Sequence, residues 1–242
     1  MNYTIAAFLV IVGTEMCNTV GAPPASDEVQ PVPAVEAKPA PVDPKSSASD
    51  AHHPNGDRGG FWNAKYRSGT GMNLEPSDLL TRAIKGIAPG KALDLGMGQG
   101  RNTVFLAEAG WDVTGIDTAD EGIAIAQRNA AAKGVSFVGL NQDVHEYDLG
   151  ANEWDLIALI YMGDRGLLEP IKRGLRPGGR AVIEFFHADS NDYFPHPLEG
   201  FETGELERIF AGFDIIENET SDGTADFGLR PARLVRFIAQ KR

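Results

Sequence analysis

Three glycines at alternate positions, Gly96, Gly98 and Gly100, follow an apolar run that contains an acid, Ala92-Leu93-Asp94-Leu95. A second apolar run closes on another acid, Asp117. Glycine lets the backbone come close to a ligand. The helix that opens after the turn offers its first N–H groups to an anionic group. An acid ending the next strand can hold the two vicinal hydroxyls of a ribose. The chemistry these residues suit is the binding of a nucleoside cofactor.

The glycine spacing narrows the cofactor. A dinucleotide fingerprint wants glycine or alanine at its third position, for close packing of helix on strand. Arg101 stands there. A phosphate loop needs Gly-Lys-Ser/Thr, which does not follow. The run Asp94-x-Gly96-x-Gly98-x-Gly100 instead resembles the first motif of class I S-adenosylmethionine-dependent methyltransferases. Within that class, Gly100-Arg101-Asn102 with Phe105-Leu106-Ala107, and Phe201-x-x-Gly204-Glu205-Leu206 through Gly212-Phe213-Asp214, are similar to the tellurite-resistance and small-molecule group. Met97 departs from that group, many of whose members carry cysteine at this position.

The resemblance implies S-adenosyl-L-methionine as cofactor and a small molecule as methyl acceptor: a thiol, a chalcogen oxyanion or similar. It implies that the turn passes the methionine part of the cofactor and that Asp117, with Thr118, meets the ribose. Asp143 would receive the adenine amino group, with Val144 beside the ring. Asp94, Gly96, Met97, Gly98, Gly100, Asn102 and Tyr161 complete the expected cofactor contacts. Trp62, Tyr66 and Arg67 would form a cover, with Arg67 pairing to the methionine carboxylate. Trp62 and Tyr66 also fit simple packing of a first helix.

A soft, ionised acceptor needs no base, whereas a hydroxyl acceptor does. Base candidates near the mouth are Tyr161 and His187, followed by Asp189 and Tyr193. His187 follows a strand at the end where open α/β sheets bind ligands, and a hydrogen-bonded structural histidine fits that place as well. Two other classes remain open: an NAD-dependent oxidoreductase, and a non-catalytic nucleoside-binding protein that keeps the fold.

Charge and cysteine usage exclude more than they assign. The net charge of −12 opposes the clustered basic contacts that bind a phosphate backbone. The Asn/Asp-Pro-Pro-Tyr pattern of amino-directed DNA methyltransferases is missing, because the strand ends Ile160-Tyr161-Met162-Gly163. No nucleic-acid partner is expected. The sole cysteine is Cys17, so no intrachain disulfide or cysteine metal cluster can form. No metal site is expected, and His52 and His53 read as solvated. Ile5 to Gly13 is too short to span a bilayer, so no stable membrane insertion is expected. The run has the length of a signal-peptide core, and Val20-Gly21-Ala22 fits a cleavage site. No Lys or Arg precedes it. Residues 1–22 are therefore a candidate export signal to the periplasm, against a cytoplasmic alternative. Residues 23–60, rich in Pro and Ala, read as a disordered linker. The oligomeric state is not legible.

Residues 61–242 must position the site. Phe61-Trp62-Asn63-Ala64-Lys65-Tyr66-Arg67 fits a short helix, and Ser77 fits the cap of a second one reaching Lys85. Strands are expected at Ala92–Leu95, Asp112–Ile116, Val135–Gly139, Trp154–Ile160, Arg180–Phe186, Phe213–Asn218 and Arg233–Ala239. Helices are expected at Arg101–Gly110, Ala119–Lys133 and Leu167–Leu175, with another capped by Thr203. Arg176-Pro177-Gly178-Gly179 reads as a turn before the fifth strand. Strands alternating with helices give an α/β fold, Rossmann-like and doubly wound, with a mostly parallel sheet. The resemblance implies seven strands with an antiparallel last one.

Overall fold

The computed structural model describes residues 58–69, 72–193, 200–226 and 229–242. The expected export signal, residues 23–57 of the expected linker with His52 and His53, Cys17 and the side chain of Tyr193 lie outside the described residues, whereas residues 58–60 of that linker belong to α1.

Apart from Asp155, the run Trp154–Ile160 is apolar along both faces, which suits a strand covered on both sides. It forms β4 at the middle of a seven-stranded sheet ordered β3-β2-β1-β4-β5-β7-β6. The strands are β1 (Lys91–Leu95), β2 (Asp112–Asp117), β3 (Val138–Asn141), β5 (Leu175–Phe186), β6 (Phe213–Thr224) and β7 (Pro231–Lys241). Strands β1 to β5 pair in parallel, and β7 runs antiparallel to both β5 and β6. The helices are α1 (Arg58–Ser68), α2 (Asp78–Ala83), α3 (Arg101–Glu108), α4 (Asp120–Ala132), α5 (Leu168–Gly174) and α6 (Glu205–Ile209).

Alternation along β4 splits the core in two. Leu156 and Ala158 pack with Leu79 and Leu80 of α2 and Leu106 of α3. Ile157 and Leu159 pack with Ile171 of α5, with Leu206 of α6 and with Phe210 just after it. Each fully buried Leu or Ile contributes about 1.5–3 kcal/mol, and both faces are filled with them. The same alternation puts Asp94 of β1 and Glu184 of β5 on the α2–α3 face, where each finds a hydroxyl. Among the described residues no helix is long and apolar enough to cross a membrane.

Several expectations shift. Strand β3 begins at Val138 rather than Val135. The Val135 N–H is taken by the Ala130 carbonyl at the end of α4, and Phe137 packs on Ile123 and Ala126 of α4, so the apolar run docks a helix before pairing starts. Arg176-Pro177-Gly178-Gly179 does not precede β5 but lies within it. Trp154 pairs with Leu175 and Leu156 with Arg180, and the four residues bulge from the ladder between. Ser77 stands at the cap position of α2, yet its hydroxyl donates to Glu184 Oε2 at 2.9 Å and makes no cap bond. Gly204, not Thr203, caps α6. Helix α1 starts three residues before Phe61, at Arg58.

Candidate active site

Parallel pairing brings the expected residues to one edge. Leu95 lies opposite Ile116 on β2 and Leu159 on β4, so Gly96, Asp117 and Tyr161 leave the sheet side by side. The Gly96 and Met97 N–H groups donate to the Ile116 carbonyl at 2.9 and 3.0 Å, which folds the chain back at the strand end. Gly96, Gly98 and Gly100 have φ of +72°, +53° and +73°, a region that side-chain-bearing residues rarely enter. Asp117 then locks the turn. Its Oδ2 accepts from Gly98 N–H and its Oδ1 from Ala119 N–H, both at 2.8 Å.

Two carboxylates are thus buried at this edge. Asp94 sits beneath the turn and accepts from the Thr103 hydroxyl of α3 at 2.7 Å. Burial raises its pKa to about 6, opposed by the Thr103 hydrogen bond and the Arg101 charge. Burial also raises the pKa of Asp117, opposed by the N–H bonds from Ala119 and Gly98. Asp94 therefore holds its proton more tightly folded than unfolded, so it favours folding at low pH. That advantage is lost as pH rises from the unfolded value near 3.8 through about 6. Relative to Asp94→Asn, the wild type should lose about 2 kcal/mol of stability between about pH 4 and pH 7. Urea unfolding of both proteins at the two pH values checks this, and parallel curves would sink it.

Helix α1 lies over the turn. Tyr66 covers Gly98 and Gly122, with its hydroxyl where a Gly98 side chain would start. Trp62 stacks on Tyr66 with ring centroids 5.8 Å apart. Asn63 ties α1 to the start of α4, donating to Asp120 Oδ1 at 2.6 Å and accepting from Glu121 N–H at 3.0 Å. Gly59 packs on the Thr118 carbonyl. Burial and the charges of Asp117 and Asp94 push the Tyr66 pKa up. Arg67 is exposed. The cover and the packing of a first helix are thus the same contacts.

Other expected contacts are engaged within the protein. Asp143 Oδ1 accepts from His145 N–H at 2.9 Å and so builds its own turn. Val144 is buried in the core. Asn102 Oδ1 accepts from Ser77 N–H at 2.9 Å and tethers the start of α2. The Met97 side chain is buried against Ile123 and Ala126.

On the acceptor side, Tyr161 is the first residue past β4 and has φ of +59°. Met162 lays its sulfur on Gly96. His187 is buried, with Nδ1 accepting from Asp189 N–H at 3.1 Å. The same Nδ1 lies 3.3 Å from Asp189 Oδ2, and Nε2 lies 3.1 Å from the Thr203 hydroxyl. Neither ring nitrogen is left to take a proton from an acceptor, so the geometry favours the structural role of His187 over the base role. Thr203 serves His187 rather than a helix end. Two residues the spacing did not reveal close this side. Arg101 Nη1 reaches Asp226 Oδ2 and the Glu75 carbonyl, each at 2.8 Å. Asn73 Nδ2 donates to Asp226 Oδ1 at 2.8 Å.

A parallel sheet of this order with an antiparallel seventh strand, a glycine turn after β1 and an acid ending β2 agree with the resemblance carried by the sequence motifs. The chain belongs to the class I S-adenosylmethionine-dependent methyltransferases, close to the TehB group. Residues 92–179 match the family model described as "Methyltransferase domain". "Probable S-adenosyl-L-methionine-dependent methyltransferase TehB" of Haemophilus influenzae is 28% identical over 151 residues, 58% of this chain and 52% of that protein. "Hemagglutinin 1" of Eikenella corrodens is 30% identical over 178 residues, 67% of this chain and 58% of that protein. The chain thus spans little more than half the length of these curated relatives. The crystal structure of TehB from H. influenzae superposes with a TM-score of 0.62 at 21% identity, covering 76% of this chain and 67% of that one.

Proposed function

We propose that the chain transfers the methyl group of S-adenosyl-L-methionine to a small-molecule acceptor that arrives already ionised, such as a thiolate or a chalcogen oxyanion. The observation that carries the reading is Asp117, held by Gly98 N–H and Ala119 N–H at the edge where the glycine turn opens. A carboxylate so fixed suits a ribose diol, and the two buried acids Asp94 and Asp117 suit a cofactor that carries positive charge. When bound, the cofactor supplies a methyl group already activated on a sulfonium, so the protein's task is to orient and to exclude water. Asp117 orients the ribose. Tyr66 and Trp62 shield the turn from water.

The ionised acceptor is supported by the state of the two leading base candidates, His187 and Tyr161. Both His187 nitrogens are engaged. Tyr161 is held protonated by burial and by the Glu184 charge, which push its pKa up. The net charge of −12 supports a small molecule over a nucleic acid.

Calorimetric titration of the full chain with S-adenosylhomocysteine tests the cofactor, and no binding by the wild type would overturn the reading. A methyl-transfer assay across thiols, chalcogen oxyanions, phenols and amines tests the acceptor. Turnover of the first two, without the amines, is the expected result.

A further inference from the structure

We propose that Tyr161 is the hydrogen-bond donor to the methyl acceptor and that Asp226 is the residue that positions it. This rests on the methyltransferase reading above. Tyr161 stands where β4 leaves the sheet, beside the glycine turn, in a left-handed backbone conformation with φ of +59°. For a residue with a large side chain that conformation is costly and persists only when neighbours enforce it. Here they do. The Tyr161 N–H donates to the Glu184 carbonyl at 2.8 Å. Its ring packs edge-on against Phe186 at 5.5 Å. Its oxygen accepts from the Asp226 N–H at 3.0 Å.

One valence is left over. A phenol that accepts one N–H still has its own proton to give, and among the described residues nothing accepts the proton of Tyr161. The side chain keeps part of its surface exposed, and its O–H is the group we assign to the ligand. Accepting the Asp226 N–H polarises the O–H and makes it a better donor. Such a donor stabilises an anionic acceptor atom or its neighbour. It does not remove a proton.

Asp226 fixes where that donor points. It sits past the end of β6, and four of its atoms are committed. Its N–H holds Tyr161, its carbonyl accepts from Asn73 N–H at 3.0 Å, Oδ1 accepts from Asn73 Nδ2 at 2.8 Å, and Oδ2 pairs with Arg101 at 2.8 Å. Arg101 is the residue directly after Gly100, so the carboxylate ties the hairpin to the far end of the glycine turn. Met162, next to Tyr161, rests on the near end at Gly96. The Tyr161 hydroxyl is thereby referenced to both ends of the turn. The Arg101 ion pair offsets part of the repulsion that the Asp226 carboxylate exerts on an anion.

The test uses the full chain saturated with S-adenosylhomocysteine and titrated with 4-nitrobenzenethiolate, a soft anion ionised at neutral pH, followed by its visible absorbance. The wild type should bind it. Tyr161→Phe, which keeps the ring, should bind at least tenfold more weakly, the loss expected for one hydrogen bond to a charged group. Asp226→Ala should weaken the thiolate at least fivefold while S-adenosylhomocysteine affinity stays within threefold, and Asp226→Asn should restore most of it. A purely structural role for Asp226 would lower both affinities together. Thiolate binding unchanged in Tyr161→Phe or in Asp226→Ala overturns the proposal, and so does a wild-type complex that does not take the thiolate. Failure of the wild type to bind S-adenosylhomocysteine overturns the methyltransferase reading instead.

Discussion

Replacing Asp117 by alanine should weaken S-adenosylhomocysteine binding by about 100-fold or more, the largest loss expected from any single side chain of the site. Two hydroxyl-to-carboxylate bonds disappear, each contributing about 1.5–3 kcal/mol. A loss of about 3 kcal/mol is already more than 100-fold in affinity. The protein's own geometry adds to this. In Asp117→Ala the Gly98 and Ala119 N–H groups both lose their acceptor, so the turn is no longer held in its binding shape. Asp117→Asn separates the two contributions. Its single carbonyl oxygen can keep one of those N–H bonds but has no charge to offer the ribose, so it should fall between wild type and alanine. Calorimetry on the three proteins checks the order, and an alanine variant within fivefold of wild type would remove Asp117 from the site.

Asp117 was legible because its position depends on local sequence alone. An apolar strand, a glycine turn, a helix and a second strand set the distance along the chain, and parallel pairing converts that distance into nearness. The same logic made β4 legible to its last residue: apart from Asp155, Trp154–Ile160 is apolar on both faces and suits the inside of the sheet. Strand β3 was displaced because an edge strand carries little burial. Phe137 is apolar for packing on α4 and Val135 for packing on the α2–α3 side of the core, not for strand pairing. Asp226 was illegible for the opposite reason to Asp117. Its partners Asn73, Arg101 and Tyr161 come from three separate segments, and only the closed β6–β7 hairpin brings it among them. His187 was half legible. Its place at a strand end follows from the pattern, but its spent nitrogens depend on Thr203, 16 residues further along the sequence.

The other large effect concerns packing. Gly100→Ala should lower the stability of the domain by about 2–5 kcal/mol. The residue has φ of +73°, where a side chain costs about 1–2 kcal/mol. The added methyl would overlap the Ala126 side chain and come within 3.3 Å of the Ala126 Cα and of the Met97 side chain. Ala126 lies in α4 and is fully buried, so relief requires α3 or α4 to move, at a cost of about 1–3 kcal/mol. For a domain of this size the melting temperature should fall by about 5–15 °C. Gly178→Ala is the control. Its φ of +84° is just as unfavourable, but a methyl there meets nothing within 4 Å, so only the backbone cost of about 1–2 kcal/mol applies. Thermal unfolding of both variants isolates the packing contribution, and equal losses would show that none exists. The two should also differ in S-adenosylhomocysteine affinity. Moving α3 drags Arg101 and the turn with it, whereas the β5 bulge at Gly178 lies at the opposite end of the sheet from the site.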